Sequence, residues 1–438
     1  MRILLCNYEY PPLGGGGGVV MAAMARALAR RHEVTVLTSR AADLPGRSND
    51  DGVSVVRVPV FFRRKLAVAN MPSMAAYLPM GLWRGLELGR KQAFDVINTH
   101  FVVPTGPLGD WLARRLDIPN VLSVHGGDLY DPSKASSPHR HGFLRRPIAN
   151  LLRRADLVVA QSRDTASNVR KIYGVERDVG LIPLGIDRPP RDVQGTRAQF
   201  GIPDQAFVLV TAGRIVARKA TPQLIQMLAT LSRPNVYLLV IGDGPDAEPV
   251  RKLAAERGVS DRLRMLGYVS DEDKYRAYSV ADVFVSTSQH EGFGLVFLEA
   301  MAFGLPIVCY DRGGQVDFLS TPATGHVAHL NDLEAFTAAV RELYDSPERR
   351  AAVRHNNLTQ VENFFIDRCA ERYEQLFERA ILGHANAPTL PSPASGREDK
   401  SARPPPPAVG RGDKSVSPPP VAGGGLGRRH GKFDVPRD

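Results

Sequence analysis

The chain has 438 residues, 43% hydrophobic and 23% charged, which suits two or three domains each burying a core of its own. Its three cysteines, Cys6, Cys309 and Cys369, are odd in number and far apart, which excludes a disulfide framework and a thiolate metal site. The formal charge of +10, from 56 Lys+Arg against 46 Asp+Glu, suits an anionic small molecule or an anionic membrane surface; with neither an RNA-binding aromatic signature nor zinc-finger spacing, nucleic acid is not an expected partner.

The opening MRILLCNYEY runs straight into a strand-like segment without the apolar core of a signal peptide, and no window approaches the ~18 apolar residues of a membrane span. A cytoplasmic protein is expected. Arg2 to Asn7 reads as a strand, Val20 to Arg31 as an Ala-rich helix and Glu33 to Thr38 as a second strand. Further strands are expected at Val53 to Val60, Phe94 to His100, Val121 to His125 and Leu157 to Gln161, with helices such as Pro107 to Leu116 between several of them. A second series follows a Pro-containing linker at Gly185 to Phe200: Phe207 to Ala212, Val236 to Ile241, Leu263 to Leu266, Val280 to Ser286 and Pro306 to Tyr310. Strands alternating with helices imply parallel sheets covered on both faces. The expected fold is therefore α/β, with two doubly wound Rossmann-like domains at 1–187 and 188–360. Glu362 to Ile381 reads as a terminal amphipathic helix within 361–383, packing back towards the first domain. The remainder, 384–438, holds eleven prolines from Pro388 onward and is expected to be a disordered Pro/Gly-rich tail.

In open α/β sheets, ligands bind beyond the carboxyl ends of the strands. The first such turn is Tyr8-Glu9-Tyr10-Pro11-Pro12-Leu13 followed by Gly14 to Gly18, read as five glycines before a helix whose amides can approach an anion. It is not a dinucleotide fingerprint, because the third glycine of G-x-G-x-x-G is missing and no acidic residue ends the second strand. His125-Gly126-Gly127-Asp128 brings an imidazole and a carboxylate to another strand end. In the second series, Thr211-Ala212-Gly213-Arg214 with Lys219 places two cations where a diphosphate could be held, and Ile241-Gly242-Asp243-Gly244 adds a glycine turn. Ser286 to Pro306 is the most informative stretch. It combines a strand, a loop bearing Glu291, and an apolar helix from Leu295 whose lone carboxylate, Glu299, needs a cation or polar ligand to be buried.

Taken in order, these motifs resemble the family 4 retaining glycosyltransferases of the GT-B fold, over about residues 1 to 383. The most specific is Glu291-x7-Glu299 in EGFGLVFLEAMAFGLP, joined by Arg214-x4-Lys219, the glycine turn after Tyr-x-Pro-Pro, HGGD at 125 to 128 and IPLGID at 182 to 187. Thr287 stands where the family often has proline. The resemblance implies two domains facing a central cleft, and metal-independent transfer of a sugar from a nucleoside diphosphate sugar, UDP- or GDP-linked, to a glycan or lipid-linked acceptor, with no cofactor. It implies that His125, Arg214, Lys219 and Glu291 serve catalysis. It assigns donor binding to Gly15, Gly16, Gly213, Gly244, Tyr268, Val269, Phe293, Gly294, Leu295 and Glu299, and leaves Asp128 as a candidate on the acceptor side. An epimerase or sugar phosphorylase on the same fold, or a non-catalytic donor-binding subunit, is the alternative. Phe61-Phe-Arg-Arg-Lys-Leu, Phe143-Leu-Arg-Arg and Leu151-Leu-Arg-Arg pair apolar residues with cations, which suits either a solvated basic face or peripheral attachment to an anionic membrane.

Overall fold

The computed structural model describes residues 1–41, 43–60, 71–132, 137–190 and 192–386. Two sheets form among these residues. The first contains β1 (Arg2–Cys6), β2 (Glu33–Arg40), β3 (Arg47–Asp50), β4 (Val53–Pro59), β5 (Val96–His100), β6 (Asn120–Val124), β7 (Leu157–Ala160) and β8 (Gly180–Leu181). Their order is β3-β4-β2-β1-β5-β6-β7-β8, parallel apart from the outer β3-β4 hairpin. The second contains β9 (Phe207–Ala212), β10 (Val236–Ile241), β11 (Leu263–Gly267), β12 (Val283–Ser286), β13 (Ile307–Tyr310) and β14 (Gly325–Ala328), all parallel, in the order β11-β10-β9-β12-β13-β14. This is the expected α/β architecture of two doubly wound sheets. The inner strands are buried along their length because helices cover both faces, so runs such as ILLC and VFVS need no polar alternation.

Helices α1 (Gly16–Ala29), α2 (Met71–Lys91), α3 (Gly106–Leu116), α4 (Gly142–Arg154) and α5 (Arg163–Tyr173) flank the first sheet. Gly81, Gly85 and Gly89, one per turn of α2, let Leu108, Leu112 and Leu116 of α3 settle against its backbone; a Cβ at Gly85 would lie 2.5 Å from Leu112. The second sheet carries α6 (Thr221–Thr230), α7 (Ala247–Glu256), α8 (Asp271–Ser279), α9 (Leu295–Ala302), α10 (Leu333–Asp345) and α11 (Pro347–Gln360). The chain crosses between sheets twice, and the crossings are stitched together: the Ile186 amide donates to the Phe364 carbonyl at 3.0 Å and the Ile366 amide to the Ile186 carbonyl at 2.8 Å. The last helix, α12 (Ile366–Ala385), then packs on the first sheet, burying Cys369, Tyr373 and Phe377 against α1 and β1.

Three expected boundaries move for local reasons. The first helix begins at Gly16, so the glycine run supplies its first turn instead of preceding it, with Gly15 as N-cap. The strand expected from Val280 starts at Val283, because Val280 caps α8 and the Asp282 carboxylate accepts the Val208 amide at 2.7 Å. The terminal helix starts at Ile366 instead of Glu362, since 361–364 form a 3-10 turn and Phe365 is extended. It also runs two residues beyond the expected limit at 383. Phe61 to Leu66, and the tail from 387 onward, lie outside the described residues. Among the described residues no helix is long and apolar enough to cross a membrane.

Candidate functional site

Strand order locates the site. In each sheet the order reverses at its middle, between β1 and β5 in the first and between β9 and β12 in the second. Such switch points open a crevice at the carboxyl ends of the strands. The glycine run follows β1, Arg214 and Lys219 follow β9, and Glu291 follows β12.

The five glycines divide by what surrounds them. A Cβ on Gly14, whose φ is +97°, would lie 2.4 Å from the Glu9 carboxylate; on Gly17 it would lie 2.5 Å from the Phe101 ring, and on Gly18 3.2 Å from the Leu13 carbonyl. Those three are demanded by the protein itself. Gly15 faces open space, and a Cβ on Gly16 would make only an ordinary contact of 3.6 Å with Leu295, across in the second domain. The Gly15 amide donates to the Glu9 carboxylate at 3.2 Å. Gly15 and Gly16 are thus where the run leaves room for something other than protein.

After β6, the HGGD loop is held from within. Both oxygens of buried Asp128 accept main-chain amides, from Val102 at 2.7 Å and from His125 at 2.9 Å. Burial pushes its pKa up to about 6 despite those bonds. The Asp128 carboxylate thereby shapes the loop, with one main-chain amide on each oxygen. His125 Nε2 meets His100 Nδ1 at 2.9 Å, and the Gln161 amide donates to the His125 carbonyl at 2.6 Å. Burial pulls the His125 pKa down to about 4, so the ring is neutral at pH 7.

On the second sheet, Glu291 is buried among partners from three segments. Lys219 Nζ donates to its Oε1 at 2.5 Å, Ser288 Oγ donates to the same oxygen at 2.6 Å, and Arg218 lies 3.3 Å from Oε2. Burial alone would raise its pKa, but Lys219 and Arg218 outweigh burial and bring it to about 2. Arg218 also donates to the His290 carbonyl, and Gly313 backs the loop so closely that a Cβ there would lie 1.9 Å from the Glu291 carbonyl. Arg214 is exposed and forms no ion pair among the described residues. Gly213, at φ +134°, leaves space for the Lys219 ammonium, whose Nζ would be 3.3 Å from a Cβ. Gly244 answers a different need: its missing Cβ admits the Ile215 carbonyl, which would otherwise be 2.0 Å away.

Glu291 precedes α9, pairing in a bridge with Gly313, while Glu299 lies within the helix. Gly294, at φ +95°, is the N-cap and contributes no side chain, so the first-turn amides around Leu295 lack a side-chain cap. Phe293 is buried against Phe318, with ring centroids 5.1 Å apart. The Glu299 carboxylate has its cation: Lys274 Nζ donates at 2.9 Å, and the Tyr278 hydroxyl donates at 3.2 Å. Burial raises the Glu299 pKa, a rise that Lys274 and Tyr278 oppose. Tyr268, beyond β11, is 93% exposed, whereas its neighbour Val269 packs on the core.

The two halves meet at these loops. Ser162 Oγ donates to the Gly292 carbonyl at 3.2 Å, the Arg163 amide donates to Asp317 at 2.6 Å, and a Cβ on Gly126 would lie 3.3 Å from the Gly292 Cα. The structure therefore brings His125 and the glycine turn to the same side as Glu291 and α9. Motif reading passed over Arg218, Ser288, Lys274, Tyr278 and His100. Lys274 and Tyr278 had one available signal, their i,i+4 spacing on a single face of α8. Arg218 and His100 gave none towards the site, since His290 lies 72 residues from the first and His125 lies 25 residues from the second.

Comparison with known proteins agrees with this layout. The family described as "Glycosyltransferase Family 4" matches residues 14–188, and that described as "Glycosyl transferases group 1" matches residues 192–360. The chain is 29% identical over 374 residues to the GDP-mannose-dependent alpha-(1-6)-phosphatidylinositol monomannoside mannosyltransferase of Mycolicibacterium smegmatis, covering 80% of this chain and 91% of that protein. Among solved structures it is similar to the sucrose-phosphate synthase of Thermosynechococcus elongatus, with a TM-score of 0.72 at 22% identity, covering 87% of this chain and 99% of that one. It is also similar to the Anabaena protein HepE in complex with UDP-glucose, with a TM-score of 0.66 at 19% identity, covering 86% and 100%. These two likenesses show the GT-B fold.

Proposed function

Because the chain belongs to the family 4 glycosyltransferases, we propose that it moves a hexose, with retention of anomeric configuration, from a GDP- or UDP-linked donor to a glycan or lipid-linked acceptor. The observation that carries this reading is the grouping of Arg214, Lys219 and the uncapped start of α9 around the mouth of β9 and β12. Departure of a diphosphate builds negative charge, and two cations with oriented amides stabilise it without reorganising. Lys219, now on Glu291, shares itself with the diphosphate when the donor arrives, and Arg218 remains to keep Glu291 ionised.

In this reading Glu291 accepts hydrogen bonds from sugar hydroxyls, and Glu299, steadied by Lys274 and Tyr278, accepts both ribose hydroxyls. The exposed Tyr268 ring stacks on the base, with Val269 beneath it. Phe293, Gly294 and Leu295 supply main-chain amides, Gly213 keeps room for Lys219, and Gly15 and Gly16 border the donor or acceptor. Retention through a covalent intermediate requires a free carboxylate. Asp128 and Glu291 are both committed to protein partners, which favours attack from the same face, with the departing phosphate accepting the proton from the incoming hydroxyl. No metal or other cofactor is assigned to these steps.

Peripheral membrane attachment is part of the proposal. Phe143 is 76% exposed beside exposed Arg145 and Arg146 on α4, whereas Leu151 and Leu152 face the core, so among the described residues Phe143 to Arg146 best fits the expected patch. Purified protein should sediment with anionic vesicles at low salt, and failure to do so removes this part. The reading as a whole is tested by incubating the chain with GDP- and UDP-sugars and a lipid extract, following nucleoside diphosphate release and label transfer, and determining the anomeric configuration of the product. Transfer with retention is expected. Isomerisation, release on free phosphate, binding without turnover or an inverted product contradicts it.

A further inference from the structure

Behind His125 lies a chain of buried polar groups that donor binding does not explain. The Asn98 amide donates to the Val121 carbonyl at 2.9 Å and to Ser123 Oγ at 2.9 Å, so its oxygen must be the atom facing His100 Nε2 at 2.7 Å. That oxygen can only accept, hence His100 Nε2 carries a proton. A neutral His100 then has a bare Nδ1, which 2.9 Å away can only accept from His125 Nε2. His125 is left with a bare Nδ1, buried and with no hydrogen-bond partner. Exchanging the roles fails at the far end: a flipped Asn98 would set its oxygen against the Val121 carbonyl, and a charged His100 would be buried without a counter-ion. The Tyr373 hydroxyl of α12 donates to Ser123 Oγ at 3.1 Å, so the last helix braces the same network.

We propose that Asn98 and His100 are positioning residues that hold His125 as the neutral Nε2–H tautomer, presenting Nδ1 as an acceptor for a hydroxyl of the transferred sugar. This rests on the glycosyltransferase reading for the identity of the hydroxyl, and on the hydrogen-bond chain alone for the tautomer. Phe101, whose φ is +67°, lays its ring on His125 with centroids 4.3 Å apart, and its far edge packs where Gly17 has no Cβ. The ring is thereby fixed in orientation as well as in protonation. A bare nitrogen accepts from a hydroxyl but offers nothing to a phosphate oxygen, so the device favours sugar over leaving group at that position.

The experiment uses the full chain labelled with 15N-histidine and assigned with His100→Gln and His125→Gln. In the wild type, His125 Nε2 should appear as a protonated pyrrole-type nitrogen and Nδ1 as a pyridine-type nitrogen. His100→Leu removes the acceptor and should mix the tautomers of His125 while lowering kcat about ten- to a hundredfold, the scale of one lost hydrogen bond in a shielded site, with donor KM little changed. His100→Gln offers an oxygen to His125 and an amide to Asn98, and should restore the tautomer and most of the lost turnover. A wild-type His125 protonated on Nδ1, a single unchanged tautomer in folded His100→Leu, or mixed tautomers with unchanged kcat would each overturn the proposal. The spectra need no substrate, so failure of the glycosyltransferase reading, seen as wild-type protein without turnover, is distinguishable from failure of the tautomer.

Discussion

Lys219 Nζ sits 2.5 Å from Glu291 Oε1, although the two residues follow different strands and are 72 positions apart. Arg218, adjacent to Lys219, holds the other carboxylate oxygen. Glu291 is therefore doubly neutralised, and removing one cation does not strand it. Lys219→Ala should lower kcat at least about 100-fold, as when one donor to a developing oxyanion is lost, while the melting temperature changes little because Arg218 remains. Turnover with thermal denaturation decides it: a variant as active as wild type breaks the assignment, and a collapsed fold makes Lys219 structural.

Acid should remove the contributions of His125 and Glu291 over two separate windows; His100, also lowered by burial, adds to the first, and Asp128, raised to about 6, opposes it. The His125 pKa is lowered by burial from 6.5 to about 4, so its contribution is complete above pH 6.5 and declines as the pH falls towards 4, where the unfolded chain gains a proton that the folded one refuses. Glu291, lowered from 4.5 to about 2, contributes fully above pH 4.5, and its share, about 3 kcal/mol, is lost between there and pH 2. Chemical denaturation across pH should show His125→Gln flattening only the upper window and Glu291→Gln only the lower. A profile unchanged by both substitutions would mean that neither group carries the acid sensitivity.

The glycine run offers a comparison within five residues. Gly14→Ala forces an L side chain to φ +97° against Glu9 and should cost at least about 1 kcal/mol of stability. Gly15→Ala meets no atom within 4 Å and should stay within about 0.5 kcal/mol of wild type, yet weaken donor or acceptor binding by filling space kept open. Melting curves and KM values separate the two effects. Equal destabilisation would show that Gly15 too is held by packing.

These positions also show how far the sequence could be read. The pair Glu291 and Glu299, the cations Arg214 and Lys219, and the alternation of strands and helices are local patterns, so spacing exposed them. Arg218 could not be placed from spacing because its partners arrive from the loop after β12, and Glu299 looked unpaired because Lys274 stands on the preceding helix. The edge strand β3 reads RSND, too polar and too short to suggest a strand; it exists because β4 offers it an antiparallel partner. Gly244 also lets two loops approach each other, a packing role that only the position of the Ile215 carbonyl reveals.

Lys274 gives a further prediction. It is buried between Glu299 and Asp271, and although burial opposes its charge, those carboxylates raise its pKa above the ordinary lysine value. Lys274→Met leaves Glu299 buried with only the Tyr278 hydroxyl, so stability should fall by several kcal/mol, and the Glu299 pKa should rise further. Lys274→Met combined with Glu299→Gln should recover much of that loss. A double-mutant cycle without coupling would show the pair to be incidental.

The central claim is a donor site spanning Lys219 and Glu299, and calorimetric titration tests it most directly. The wild-type chain, Lys219→Ala and Glu299→Gln are each titrated with the GDP- or UDP-sugar that raises the wild-type melting temperature most. Glu299→Gln should weaken binding about ten- to a hundredfold, the scale of hydrogen bonds to a charged acceptor, and should weaken the free nucleoside diphosphate equally. Lys219→Ala should weaken any ligand bearing the diphosphate and leave the bare nucleoside unaffected. Unchanged affinity for the nucleotide sugar in both variants would contradict the account.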